Sequence, residues 1–136
     1  MRRLALAAAL LATPAAAQDL RPLEETPDIE ERVVYERCMA LYGLFVNFLD
    51  DEAEVARLEE QQLVFLGASF AIIIQNGEAT SFDEAFAIFT DRSLAWTDPY
   101  IALAGTEAGQ GVILSDLAAR ERVLPVAESR AAELNQ

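Results

Sequence analysis

The chain contains no histidine and no lysine, and it has a single cysteine. Without an imidazole it cannot form a Ser-His or Cys-His nucleophile pair, a histidine-ligated haem or a histidine-containing zinc site. Without lysine it lacks both a Schiff-base residue and the phosphate-contacting lysine of a P-loop. Most familiar enzyme classes are therefore excluded, and we expect a protein that is not an enzyme and carries no cofactor.

Positive charge is also scarce, because ten arginines face 23 acidic residues and the formal net charge is −13. Such a charge repels phosphate groups, so nucleic acid and anionic lipid headgroups are poor partners. Cations, basic peptides and a basic protein face remain open as partners. The simplest interpretation of the charge is that it keeps a small exported protein soluble.

The first 17 residues have the composition of a signal peptide. Residues 1–3 are basic, residues 4–12 are apolar, and the small residues 15–17 follow Pro14. The apolar stretch is shorter than the roughly 20 residues that a membrane span needs. We therefore predict a Sec-type signal peptide, 1–17, cleaved after Ala17, a periplasmic or secreted location, and no stable membrane insertion after cleavage.

The rest of the chain is predicted to be a flexible acidic leader, 18–27, followed by a single helical domain, 28–136. Asp28 and Glu31 resemble a capping box, and apolar residues at three- and four-residue steps predict a first helix over 29–49. Asp51 is expected to cap a second helix that ends at Asn76 and Gly77.

Ser81 and Glu84 form a second capping box, which predicts a third helix ending near Pro99. The glycine-rich residues 105–111 fit no phosphate-binding motif, and we interpret them as a plain linker. The last helical segment, 112–134, contains Pro125, which either kinks one helix or separates two. The sum is an all-α fold, a small bundle of four to five helices.

Residues 38–46 of the first helix are apolar on every side, which indicates either a central helix or one that a partner covers. A homodimer interface or a contact with an envelope protein would use the large side chains of this stretch: Met39, Leu41, Tyr42, Leu44, Phe45 and Val46. Cys38 lies on the same helix, and an odd cysteine cannot close an internal disulfide. We favour two interpretations, a buried free thiol or the link in an intermolecular disulfide, over a third, a catalytic thiol.

Aromatic residues recur on the predicted inner faces of the helices: Tyr42, Phe45, Phe48, Phe65, Phe70, Phe82, Phe86, Phe89 and Trp96. They form either the core or the lining of a pocket for a small apolar ligand. The acidic run 50–54 suits a hard cation such as calcium, or a carboxylate pair for hydrolysis, although a solvated helix start explains it more simply.

These features favour a non-enzymatic interaction module, acting through self-association or through an envelope protein. A carrier of a small apolar ligand is the first alternative. An acidic cation-binding protein or a hydrolase that uses only carboxylates is the second.

Overall fold

The computed structural model describes residues 20–136, so the predicted signal peptide lies outside the described residues. Within this range the fold is all-helical and contains no strand, which confirms the predicted class. There are five α-helices: α1 (Glu31–Phe45), α2 (Glu52–Gln75), α3 (Phe82–Leu94), α4 (Thr97–Ala104) and α5 (Glu107–Ala132). Three single turns of 3-10 helix accompany them: Leu23–Glu25, Val46–Phe48 and Glu133–Asn135. No helix in this part of the chain combines the length and apolarity that crossing a membrane requires.

The two longest helices, α2 and α5, pack along each other, and α1 contacts all four other α-helices. A β-carbon added at Gly67 of α2 would lie only 3.0 Å from the β-carbon of Ala131 in α5, so a small residue permits close approach there. Helix α1 is therefore the central helix, one of the two interpretations that its apolar composition allowed.

Helices α2 and α3 begin at the predicted N-cap residues, Asp51 and Ser81. The Asp51 side chain accepts hydrogen bonds from the backbone amides of Ala53 and Glu54. The Ser81 hydroxyl accepts one from the amide of Glu84. Both caps satisfy amides that the first helical turn leaves without an intrahelical partner.

The first helix is shorter than predicted. It begins after Glu30, which makes no side-chain cap, and Asp28 has a φ of 60°, so the expected Asp28 capping box is wrong. The α-helix ends at Phe45, and a 3-10 turn continues to Phe48.

The prediction for the chain around Pro99 and the glycines is also wrong. Helix α3 ends at Leu94, and Pro99 lies in the first turn of α4, where its missing N–H costs nothing. The supposed linker contains the start of α5, capped by the Thr106 hydroxyl, which accepts from the amide of Gly109. Helix α5 then runs through Pro125, so this proline does not separate two helices.

Residues 20–27 pack against the helices rather than forming a flexible leader. Leu20 and Leu23 are both buried. The Leu23 amide donates to a carboxylate oxygen of Asp116 in α5 at 2.7 Å. Two apolar anchors and a backbone bond to a buried charge thus fix a segment that lacks any helical period. We call residues 20–27 the N-terminal segment.

Not all of the aromatic residues point inward. Phe65 and Phe89 are buried and stand in separate apolar clusters of the core. Phe48, Phe82 and Phe86, which were expected on inner faces, are 78%, 58% and 53% exposed. Helix α3 is short and covers only part of α1 and α2, so its outer aromatic residues have no further helix to pack against.

Candidate functional site

An open apolar groove of about 410 Å³ lies where α1, α2 and α3 meet. Helix α1 forms part of it with Met39, Tyr42 and Gly43, and α2 contributes Gln62 and Leu66. No ionisable acid or base lines the groove apart from the Tyr42 phenol. Its volume lies within the range of about 300 to 1,000 Å³ that is usual for ligand pockets.

Helix α3 supplies the opposite wall and an exposed edge. Phe89 is buried at the inner side, whereas Phe86 and Leu94, which also line the groove, are 53% and 63% exposed. These positions follow from helical spacing, since residues three or four apart share one face. Large apolar side chains thus continue from the interior of the groove onto the surface.

Two polar atoms in the groove lining have no hydrogen-bond partner within the described chain. They are Oε1 of Gln62 and the hydroxyl of Ser93, and both atoms are buried. The Gln62 amide nitrogen contacts the sulfur of Met39, whereas Oε1 has no partner within the described residues. An occupant with a hydrogen-bond donor would satisfy Gln62, because burying an unpaired acceptor costs free energy.

Carboxylates flank the groove. Glu59 precedes Gln62 by one helical turn, Asp83 precedes Phe86 by one turn, and Asp98 directly follows Thr97, another lining residue. All three are exposed. Residues three apart share one side of a helix, so we expect Glu59 and Asp83 to continue the groove-lining sides of α2 and α3 one turn beyond the groove.

The arginines of the same helices are bound elsewhere. Arg57 of α2 pairs with Glu54 and with Glu121 of α5. Arg92 of α3 pairs with Glu78 at 2.8 Å. These cations are held by their own carboxylates, so the acidic edge of the groove keeps its negative potential.

The six residues predicted as an interface separate into three groups. Met39 and Tyr42 line the groove. Leu41 is fully buried, and Leu44 and Phe45 pack against the same core cluster, so these three belong to the interior. Val46 is partly buried in the 3-10 turn after α1.

Cys38 is a fully buried free thiol. Burial raises its pKa to about 12, so the sulfur is neutral and inaccessible in the folded chain. Of the two interpretations of this cysteine, the structure supports the buried thiol. An intermolecular disulfide through Cys38 does not fit the folded domain.

A buried polar network joins α1, α4, α5 and the N-terminal segment, and sequence reasoning missed it. Arg37 donates to Asp116 at 2.6 Å, to the Tyr100 hydroxyl at 2.8 Å and to the carbonyl oxygen of Arg21 at 2.8 Å. The Tyr100 hydroxyl donates to the same Asp116 oxygen at 2.6 Å. The sequence signal was a charged residue among apolar neighbours in two of the helices, Arg37 in α1 and Asp116 in α5. We interpret this network as structural, because Arg37 and Asp116 are buried and bonded to each other.

A second buried arginine, Arg120 of α5, has fewer partners. One guanidinium nitrogen donates to Gln61 Oε1 at 2.7 Å, and the group lies 5.2 Å from the ring centre of Phe65. Its other two nitrogens have no partner within residues 20–136. Burial lowers the pKa of Arg120.

The acidic run 50–54 contributes to helix structure. Asp51 caps α2, and Glu54 pairs with Arg57. Across the described residues, no group of three or more acidic or cysteine side chains is arranged to hold a metal ion.

Comparison with protein-family models, with curated proteins and with solved structures finds no match for this chain.

Proposed function

We propose that this chain is an exported, non-enzymatic interaction module that binds another protein through the apolar groove. The observation that carries the proposal is the open groove itself, with the exposed side chains of Phe86 and Leu94 at its edge. Large, contiguous patches of exposed apolar surface are rare on folded domains, and where they occur they usually mark interaction sites. Export, to the periplasm or out of the cell, rests on the composition of residues 1–17.

Gly43 allows a specific test of the groove. It lies in α1 among the lining residues, and a β-carbon built there meets no atom within 4 Å. Gly43→Leu therefore adds apolar bulk at the groove, starting from a β-carbon that meets no other atom. Gly111 in α5 is also helical, exposed and free of nearby atoms, but it lies outside the groove. Gly111→Leu is the matched control, and both variants gain helix propensity.

The binding probe is an uncharged amphipathic helical peptide made of leucine and glutamine, added to the mature chain 18–136. Trp96 is the only tryptophan, it is partly buried, and it directly precedes the lining residue Thr97, so its fluorescence reports binding. We expect saturable binding to the unmodified chain and to Gly111→Leu, and loss of binding in Gly43→Leu. Equal binding by all three proteins, or by none, would refute the proposal.

A carrier of a small apolar ligand is the second candidate function. The unpartnered Gln62 oxygen and Ser93 hydroxyl favour it, because a small ligand with one polar end could satisfy them inside an apolar site. Mass spectrometry of an organic extract of the purified protein tests this candidate. A stoichiometric compound that Gly43→Leu no longer retains would support a carrier over a protein-binding module.

A further inference from the structure

We infer that the occupant of the groove is an amphipathic helix of another protein, with lysine or arginine on both sides of its apolar face. This inference depends on the proposed function and specifies its partner. It follows from the nature of the groove walls, from the carboxylates at the groove edge and from the charge of the chain itself.

The groove walls favour a helical occupant. They consist of side chains from α1, α2 and α3 and of Thr97 at the start of α4, and the described chain offers no strand edge to pair with an extended peptide. An extended segment would bury backbone N–H and C=O groups against apolar side chains, at a cost that Gln62 and Ser93 alone cannot offset. A helix satisfies its own backbone groups and presents an apolar stripe to the groove.

The charges at the edge favour a basic occupant. Glu59 extends the α2 side of the groove and Asp83 the α3 side, and neither forms an ion pair within the described residues. A helix that lies along the groove brings its flanking residues towards these two carboxylates. Lysine or arginine at those positions gives complementary potentials, which favour both encounter and the correct orientation.

A second copy of this chain fits the groove poorly. It carries the same net charge of −13 and no lysine, so association through the groove would bring carboxylates together. A basic helix of a different protein avoids this repulsion and gains from the same field. We therefore assign the groove to a heterologous partner.

Three peptides with identical leucine positions separate the contributions of shape and charge. Their polar positions are all lysine, all glutamine or all glutamate, and binding to the mature chain is followed by Trp96 fluorescence at two salt concentrations. We expect the lysine peptide to bind at least about tenfold more tightly than the glutamine peptide at low salt, with the advantage shrinking as salt screens the charges. The glutamate peptide should bind most weakly.

Paired charge variants locate the effect. Glu59→Gln with Asp83→Asn removes the two carboxylates at the edge. The control, Glu60→Gln with Asp91→Asn, removes two exposed carboxylates of the same helices that lie on the sides turned away from the groove. Both double variants change the net charge equally. We expect the first to weaken the lysine peptide about fivefold and the second to have less than about a twofold effect, since exposed charges act mainly over short distances in salt.

The outcomes distinguish the inference from the proposed function. Equal affinities for the three peptides, with Gly43→Leu still blocking all of them, would overturn the basic partner and leave the groove as a binding site. Tight binding of the lysine peptide that Gly43→Leu does not reduce would be attraction to the acidic surface in general, and would also overturn the inference. A dimer of the mature chain that Gly43→Leu dissociates would identify a second copy as the occupant instead.

Discussion

Replacing Asp116 by alanine tests whether the buried polar network holds the helices and the N-terminal segment together. Asp116 is fully buried, and its two oxygens accept from the Leu23 amide, from Arg37 and from the Tyr100 hydroxyl. The alanine variant leaves the Arg37 guanidinium, which is 2% exposed, without its counter-charge. Removing one member of a buried ion pair costs about 3–5 kcal/mol, because the remaining charge is desolvated and unpaired.

This loss is large compared with the stability of a domain of this size. Typical unfolding free energies are about 5–15 kcal/mol, so Asp116→Ala should remove about a fifth of the total or more. Urea denaturation of the mature chain, followed by far-ultraviolet circular dichroism, measures the free energy of unfolding by linear extrapolation. We also expect faster proteolysis near Leu23, because the variant loses the bond that fixes this residue.

The control is Asp91→Ala, which removes an exposed carboxylate of α3 and should change stability by less than about 0.5 kcal/mol. The double variant Arg37→Met with Asp116→Leu replaces both charges by apolar groups and should recover much of the loss. A cost below about 1 kcal/mol for Asp116→Ala, measured against this control, would refute the assignment of a tightly coupled buried pair.

Three further predictions concern the fold. Gly109→Ala should destabilise the domain by about 1–3 kcal/mol in urea denaturation, because the added β-carbon overlaps the Leu103 carbonyl group, whereas Gly111→Ala, in open space, should stabilise it by up to about 1 kcal/mol. Ser81→Ala should cost about 1 kcal/mol in the same assay, because the cap of α3 is lost. Burial raises the Cys38 pKa from 9.0 to about 12, so the folded chain keeps a proton that the unfolded chain releases. The resulting stability is complete below about pH 9 and is lost as the pH rises towards 12, and Cys38→Ala should make the alkaline decline shallower by up to about 1.4 kcal/mol per pH unit.

The parts of the fold that local chemistry determines could be predicted from the sequence. The caps at Asp51 and Ser81 depend on side chains that bond to amides two or three residues away, and both were identified. The helical period through residues 72–74 outweighed their β-branched composition, and they lie in α2 as expected. The stop at Gly77 depends on a positive φ of 72°, which glycine adopts readily.

The features that depend on distant residues could not be predicted. The N-terminal segment looked flexible because its partner, Asp116, lies 93 residues away and the bond joins a backbone amide to a buried side chain. The residues from Gly105 to Gly111 looked like a linker because glycine weakens a helix, yet Gly109 allows the Leu103 carbonyl group to approach closely. The hydrogen bond to Asp116 and the close approach at Gly109 both depend on how the helices pack, which the local sequence does not determine.

The groove could be predicted only in part. The sequence indicated an apolar excess on the first helix and a surplus of phenylalanine, and Met39, Tyr42 and Phe86 do line the groove. The sequence did not show that Leu41 is buried whereas Met39 and Tyr42 line the groove. This stretch of the helix is apolar on every side, so its hydrophobic pattern does not mark one face as the inner one. Which face of α1 remains open depends on the shortness of α3, which is a property of the assembled bundle.

The stability of this domain and its proposed binding depend on opposite sides of α1. Arg37 and Leu41, four residues apart, face the buried network and the core, whereas Met39 and Gly43, also four apart, line the groove. Because a β-carbon at Gly43 would meet no atom within 4 Å, a change at Gly43 should alter binding while leaving the unfolding free energy nearly intact or slightly raised. A change at Asp116 should reduce both, since loss of the network loosens the helix that forms part of the groove. If Gly43→Leu instead destabilised the domain as much as Asp116→Ala does, the groove would be part of the packed core and could not serve as an open binding surface.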